Sequence, residues 1–572
     1  MNKKSIKKAF DDDPVANATL AQMCLSVSEK YKDNTAFSMI IDGKIDRSVT
    51  YKQMGYSSAQ IASVLTKLGV QKGDRVMLFS ENSPEWPLAY FGIAIAGAVS
   101  VPLLTGFSNE QIQYLIEHSG VRAVCISRSM AEKIANVEDE SVQTDDFLNE
   151  KLLPVFSKIP LIYIDSMANS NTEISVSIDG EKKLFPLDTI NNLPLPLQDN
   201  PNDLASIIYT SGTQGNSKGV MLSSKNIIFS ARSSFSFITI SPKDKLLSVL
   251  PLAHSYECGL GLIAPVICGA SIAYLDRPPS PSVLLPALEL IRPTVMTSVP
   301  LLIEKVYNNG IAPKLLKNKL YKFPLTRSLA IRVAGKKLKK ALGGRIRFFG
   351  IGGAPLAPDV EKFLYHAKFP YTIGYGLTEA APLVAGNAPK CFTLKSGIVP
   401  PKGVKLRIAK CLTNSESTEG EIQVTGPNIM LGYYNDTEKT AETITTDGWL
   451  RTGDLGNFDK KGQLHIRGRL KALILGPSGE NIYPEEIERL LGSSQLVEES
   501  LVYSGQKGEL IALVRLSEAA KSACVVIEHA MEDLRTWVNK KLAAFSKLSR
   551  IEIKYEPFEK TPTMKIKRYL YV

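Results

Sequence analysis

The run Y-T-S-G-T-Q-G-N-S-K-G occupies Tyr209 to Gly219, directly after the apolar stretch Leu204 to Ile208. It reads as a buried strand feeding a loop of glycines, hydroxyls and one lysine. Gly212, Gly215 and Gly219 make backbone N–H groups accessible. Thr210, Ser211 and Thr213 add hydroxyls, and Lys218 adds a cation. That composition suits phosphate. It is not a Walker A loop, because glycine follows the lysine where that loop requires Ser or Thr.

On both sides of this loop the chain alternates helical stretches with short apolar strands, from about residue 50 to 460. The strands are expected at Arg75 to Phe79, Ala123 to Ser127, Leu161 to Asp165 and Ser206 to Thr210. The alternation predicts α/β units with parallel and mixed sheets. Met167 to Asn202, rich in Asn, Ser, Asp and Pro, reads as an insertion or loop. After Gly468 a smaller α+β unit is expected. It has helices at Pro484 to Leu491 and around Val525 to Lys541, and strands at Glu499 to Tyr503 and Glu509 to Arg515. The 572 residues exceed one typical core, so the reading is a large unit, 1–468, and a small one, 469–572.

Composition narrows the class. Apolar content of 44% and charge of 22% match a soluble globular protein rather than a disordered one. The seven cysteines form no C-x-x-C pair, which argues against a zinc site or a disulfide framework and for a reduced compartment. The basic N-terminus has no apolar core after it, so no secretion signal is read. Trp86 to Leu104 and Cys258 to Leu275 approach the length of a membrane span. Each is broken by Gly-Ala and reads instead as a buried helix followed by a buried strand. The expected location is cytoplasmic.

The net charge of +11 is unevenly placed. Residues 311–345 hold eleven Lys and Arg and no acidic residue, interleaved with leucines and aromatics. A solvated helical face and peripheral contact with an anionic membrane both fit that pattern. No recognition motif accompanies it, so nucleic acid is not an expected partner.

Further motifs carry chemistry. F-F-G-I-G-G-A-P-L runs from Phe348 to Leu356, and G-Y-G-L-T-E-A-A-P begins at Gly374. Tyr375 stands between glycines, where its ring can meet a flat base. Thr378 offers a hydroxyl to phosphate, and Glu379 is a hard oxygen ligand suited to Mg²⁺. G-W-L-R-T-G-D-L-G at Gly448 presents Asp454, whose carboxylate can accept from vicinal hydroxyls. G-R-L-K places Arg469 and Lys471 at the expected boundary between units, and the tail reads K-T-P-T-M-K-I-K-R-Y-L from Lys560.

In this order the motifs resemble the acyl-adenylate-forming (AMP-binding) superfamily over nearly the whole chain. Leu250 to Tyr256 (L-P-L-A-H-S-Y) and Gly476 to Glu488 (G-P-S-G-E-N-I-Y-P-E-E-I-E) look most like bacterial long-chain fatty acid–CoA ligases. The resemblance implies ATP, Mg²⁺ and coenzyme A, with a fatty acid as the other substrate. By similarity Thr210, Ser211, Gly212, Thr213, Gln214, Gly215 and Lys218 hold the β- and γ-phosphates. Gly353, Ala354 and Pro355 wall the adenine slot, Tyr375 and the adjoining Gly376 meet the base, and Thr378 contacts the α-phosphate. Glu379 with Thr210 binds Mg²⁺, while Asp454 and Arg469 hold the ribose. Lys471 is the hinge, and Lys565 is the catalytic lysine that reaches the α-phosphate and the carboxylate. His254 and Tyr256 lie near the acyl pocket, and Ser478 and Gly479 line the coenzyme A channel.

The chain departs from the family in places. Gln214 stands where threonine is usual, Ser217 where proline is usual, and Met564 where glycine precedes the lysine. Two alternatives stay open at this point. One is a ligase that loads acyl carrier protein; the other is a non-catalytic homologue that binds lipid or nucleotide.

Overall fold

The computed structural model of the chain describes residues 14–135, 156, 159–168, 173–179, 181–187, 199–210, 217–387, 394, 396–410, 419–475, 481–506, 508–522, 527–561 and 565–571. Two large sheets dominate. In the nine-stranded sheet the strands Leu204–Thr210, Val99–Pro102, Arg75–Phe79, Ala123–Ile126 and Leu161–Tyr163 lie side by side and parallel. In the eight-stranded sheet the parallel core runs Tyr371–Gly376, Phe348–Ile351, Val295–Ser298, Lys245–Leu247, Ser271–Leu275 and Thr35–Ile41. Antiparallel strands complete the edges, so the sheets are mixed around the parallel units that the alternation predicts. The central strands are short apolar runs because helices cover both faces.

Both span-length apolar runs resolve as helix then strand. Trp86 to Leu104 gives the helix Glu85–Ile95, all of it buried, and the strand Val99–Pro102. Cys258 to Leu275 gives helical turns over Glu257–Ile263 and Ala264–Ile267, then the strand Ser271–Leu275. Among the described residues no helix is long and apolar enough to cross a membrane.

Part of the expected loop over 167–202 is instead a hairpin, Glu173–Ile178 with Glu181–Pro186, on the edge of the nine-stranded sheet. Ile174 and Val176 alternate inward and are buried. Asp179, just past the strand Glu173–Ile178, takes a positive φ of 52°. The polar composition masks this alternation in the sequence.

A four-stranded antiparallel sheet, Lys405–Lys410, Gly420–Thr425, Leu450–Phe458 and Leu464–Arg469, precedes the C-terminal part. Beyond it, the strands Val497–Ser504, Leu510–Leu516 and Arg550–Ile553 pack with the helices Pro484–Gly492 and Ile527–Asn539. That part has its own apolar core, which includes Ile487, Leu491, Val514, Leu534 and Val538. The basic segment forms helices Ala312–Lys317, Lys319–Lys322 and Pro324–Ala341, inserted between two parallel strands of the eight-stranded sheet.

Candidate active site

The C-terminal ends of the strands Leu204–Thr210, Phe348–Ile351 and Tyr371–Gly376 each carry motif residues. Such strand ends are where open α/β sheets bind ligands. Thr210 and Lys218 are register partners of an antiparallel pair, at the ends of the strands Leu204–Thr210 and Lys218–Ser223. Ser211, Gly212, Thr213, Gln214 and Gly215 lie outside the described residues. The Lys218 ammonium stands 5.3 Å from the centre of the Tyr433 ring. Tyr433 is paired with Val220 on the same hairpin, and its hydroxyl donates to Glu379 Oε1 at 2.9 Å. Burial, then the like charges of Lys439 and Lys471, lower the Lys218 pKa. Lys218, Tyr433 and Glu379 therefore form one cluster beside the loop. Thr378 Oγ1 lies 3.2 Å from Ser255 Oγ.

A second cluster is built across a strand pair. Asp454 and Arg469 are register partners, with Arg469 Nε 2.9 Å from Asp454 Oδ1. The Tyr375 hydroxyl donates to Asp454 Oδ2 at 2.5 Å. Burial raises the Asp454 pKa while Arg469 opposes the rise. Burial, the largest single influence, works against the Arg469 charge, but Asp454 together with Tyr375, Glu485 and Glu379 outweighs it, and the net shift is upward. Gly376 ends this strand where nothing larger fits, since a Cβ there would stand 2.2 Å from the Pro382 carbonyl oxygen.

The tail reaches the same cleft. Lys565 has its pKa lowered by burial and by Arg469, with Asp454, Glu485 and Glu379 opposing. Lys565 nonetheless keeps open surface, with protein close by on several sides. His254 is pushed down to about 4, by burial first and then by Lys565. The Tyr256 N–H donates to His254 Nδ1 at 3.1 Å, so the neutral ring carries its proton on Nε2. Three residues past Lys565, Arg568 holds Glu488 through contacts of 2.7 and 2.9 Å and also donates to the Val502 carbonyl at 2.8 Å. The tail is thereby fastened to the helix Pro484–Gly492.

The remaining expected residues fall as follows. Gly353, Ala354 and Pro355 are exposed just past the strand Phe348–Ile351. A Cβ at Gly352 would lie 3.5 Å from the Gly374 carbonyl oxygen, which sets that segment against the Tyr375 strand. Tyr256 packs under the same segment, with its ring 3.3 Å from a Cβ at Gly352. Lys471 lies in the short turn Leu470–Ala472, exposed and within electrostatic reach of Lys218. Ser478, Gly479 and Met564 lie outside the described residues.

Four contributors escaped the sequence reading: Tyr433, Ser255, Glu485 and Glu257. Glu485 sits in the quoted P-E-E-I-E run, where two neighbouring glutamates gave no sign of which faces Arg469. Glu257 follows Tyr256, is fully buried, and accepts from Ser248 Oγ at 2.6 Å and Thr297 Oγ1 at 2.7 Å. Burial lifts its pKa to about 7 against those two hydrogen bonds.

The donor set fits the expected ligands. Lys218, Arg469 and Lys565 bring three cations to one cleft, enough to receive a polyphosphate. Mg²⁺ commonly takes one or two carboxylates plus substrate phosphates, and Glu379 beside the loop supplies a carboxylate of that kind.

Comparison with known proteins agrees with this arrangement. The family model described as AMP-binding enzyme matches residues 26–434. The fatty acyl-CoA synthetase A of Dictyostelium discoideum is 27% identical, covering 93% of this chain and 85% of that protein. The long-chain-fatty-acid–CoA ligase 1 of Homo sapiens is 30% identical over 82% of this chain and 69% of that protein. The long-chain-fatty-acid–CoA ligase FadD15 of Mycobacterium tuberculosis is 29% identical over 85% and 80%. Among solved structures, ATP-bound MatB from Rhodopseudomonas palustris has a TM-score of 0.73 at 23% identity, over 96% of this chain and 98% of that one. The anthranilate CoA ligase AuaEII reaches 0.74 at 20% identity, over 98% and 97%. These two structures speak for the fold alone. With motif order, cleft geometry and family model in agreement, the chain belongs to the AMP-binding enzyme family.

Proposed function

We propose that the protein is a long-chain fatty acid–CoA ligase. It activates a fatty acid with ATP to an acyl-adenylate, releases pyrophosphate, and passes the acyl group to coenzyme A, leaving AMP. The observation that carries this reading is the Tyr375–Asp454–Arg469 cluster, with Lys565 from the far end of the chain within electrostatic reach of it and of Glu379. The family, and relatives named as long-chain ligases over most of the chain, support it.

The chemistry follows from charge. A carboxylate attacking an α-phosphate brings two anions together, and negative charge gathers at phosphorus. Lys565 would offset that repulsion, and Mg²⁺ held through Glu379 and Thr210 would lend Lewis-acid charge when bound. Lys218 and the 211–217 loop would steady the pyrophosphate end. Asp454 and Arg469 would fix the ribose, and Tyr375 and Gly376, with Gly353, Ala354 and Pro355 opposite, the base. Thr378 would meet the α-phosphate. His254 and Tyr256 would border the acyl pocket, with His254 neutral so that it adds no charge beside the carboxylate. The mixed anhydride must be kept from water. In this reading a small domain, 469–572, closes for the first step. It then swings about Lys471 to withdraw Lys565 and open a thiol route past Ser478 and Gly479. The enzyme is placed in the cytoplasm, peripheral to the inner face of the membrane through the basic segment 311–345.

The test is palmitate-dependent exchange of pyrophosphate into ATP, followed by product formation with coenzyme A or with acyl carrier protein. Exchange and an acyl-CoA product are expected. Product with the carrier protein alone would make it an acyl–acyl carrier protein ligase. No exchange would leave a non-catalytic binder. A substrate series from acetate to stearate checks the long-chain label, which a preference for short or aromatic acids would refute.

A further inference from the structure

The helix Pro324–Ala341 rests on the molecule through Ala330, Gly335 and Leu338. A Cβ at Gly335 would stand 2.6 Å from the Ala367 Cβ, so the helix backbone is pressed close at that point. Helical spacing puts Leu325, Leu329 and Val333 on the opposite face. They are 99%, 57% and 45% exposed. In the two short helices before it and at the cap position, Leu316, Leu320 and Phe323 are also 56%, 47% and 65% exposed. Farther along the same face come Arg332, Lys336 and Lys340, all exposed. Among the described residues none of the eleven cations of 311–345 forms an ion pair.

Exposed apolar side chains interleaved with Lys317, Lys319, Lys322 and Arg327, and followed by a cationic shaft, match one kind of partner. Single exposed leucines are ordinary, but six large exposed apolar side chains within residues 316–333, three of them on one helical face, are not. A lipid interface takes up such side chains while its phosphates meet the neighbouring cations. An acidic carrier protein would complement the cations but leave Phe323 and Leu325 in water. We propose that the tip formed by Leu316, Leu320, Phe323, Leu325, Leu329 and Val333 inserts into the headgroup–acyl boundary of an anionic bilayer, with Arg332, Lys336 and Lys340 on its phosphates. This rests on the peripheral placement proposed above and adds insertion to it.

The experiment uses the full chain with vesicles of phosphatidylcholine, with and without about 30% phosphatidylglycerol, an amount chosen to resemble an anionic leaflet. Phe323→Trp reports depth, through its emission shift and through quenching by lipids brominated on the acyl chains. Expected are salt-sensitive binding to the anionic vesicles, a blue shift with quenching, and at least about a tenfold loss of partitioning in Leu325→Asp/Leu329→Asp. Exchange of pyrophosphate driven by water-soluble octanoate, and the melting temperature, should stay unchanged in that double variant. Binding without blue shift, undiminished in the double variant, would overturn insertion and leave the peripheral placement standing. No vesicle binding, or capture by acidic acyl carrier protein alone, would overturn both, while the ligase reading is judged separately by the exchange assay.

Discussion

Around the cleft, Arg469 faces Asp454 at 2.9 Å, Lys218 stands over Tyr433, and burial shifts Lys218 and Lys565 downward. On the helix Pro324–Ala341, Arg332, Lys336 and Lys340 face outward without an ion-pair partner among the described residues. The residue types are the same and the surroundings are opposite. In the cleft each cation keeps part of its surface in solvent but stands among named charged and aromatic neighbours, which hold its position and shift its charge equilibrium. On the helix each cation keeps its hydration shell and acts only as part of a collective field. Charge placed for chemistry is paired and aimed, whereas charge placed for a surface is unpaired and dispersed.

The strongest way to break this contrast is at Lys565. Lys565→Ala should slow adenylate formation by on the order of 10² to 10³, as loss of a group that stabilises transition-state charge does. Thioester formation from supplied acyl-adenylate should be spared, and equal loss of both half-reactions would contradict the withdrawal of Lys565 after the first step. Its lowered pKa sharpens the point, because its charged fraction falls as pH rises through a value below 10.5. The rate of adenylate formation at limiting substrate should therefore decline on the alkaline side before an ordinary lysine would titrate, and Lys565→Arg should remove that limb.

Next in size is Asp454→Ala. It removes an acceptor that would meet the ribose and frees both Tyr375 and Arg469. A charged hydrogen bond of about 1.5–3 kcal/mol corresponds to a KM for ATP raised by about 10- to 100-fold. An unchanged KM would move the nucleotide elsewhere.

Glu257 tests burial without a counter-ion. Its folded pKa of about 7 lies above its ordinary 4.5, so the folded state holds the proton more tightly. The associated stability is present below 4.5 and is lost as pH rises through about 7. Glu257→Gln should gain stability relative to wild type across that window, by at most about 3 kcal/mol. Denaturant unfolding at several pH values measures it, and a flat difference would refute the shift. The smallest effect is expected on the helix, where Lys336→Glu/Lys340→Glu should change thermal stability by less than about 0.5 kcal/mol per substitution. Its exchange rate with octanoate should match wild type. A loss there on the scale of the Lys565 variant would erase the contrast between the regions.

Legibility followed sequence distance. The strand at Leu204–Thr210 was readable because an apolar run ends in a glycine- and hydroxyl-rich turn, and both signals lie within a few residues. The helix-then-strand reading of both apolar runs was readable because Gly-Ala marks the break. The hairpin at Glu173–Pro186 was not, since alternate isoleucine and valine are diluted by serines and glutamates. Tyr433 escaped because its role depends on pairing with Val220, far away in the chain, and tyrosine beside an apolar stretch looks like core. Glu257 escaped because a carboxylate next to an aromatic motif reads as surface until Ser248 and Thr297 are seen closing over it.

By itself the sequence determined the inventory and order of reactive groups, and the resemblance gave each an expected role. That information is local, since glycines, hydroxyls and a lysine confer phosphate-binding capacity on a loop wherever it is placed. Only the tertiary structure decided which groups meet. Sheet register made Asp454 and Arg469 partners, the Arg568–Glu488 contact held Lys565 against the cleft, and packing on Ala330, Gly335 and Leu338 turned Leu325, Leu329 and Val333 outward. Those outcomes depend on contacts between residues remote in the chain, set by the burial of whole elements, and no local pattern of residues encodes them.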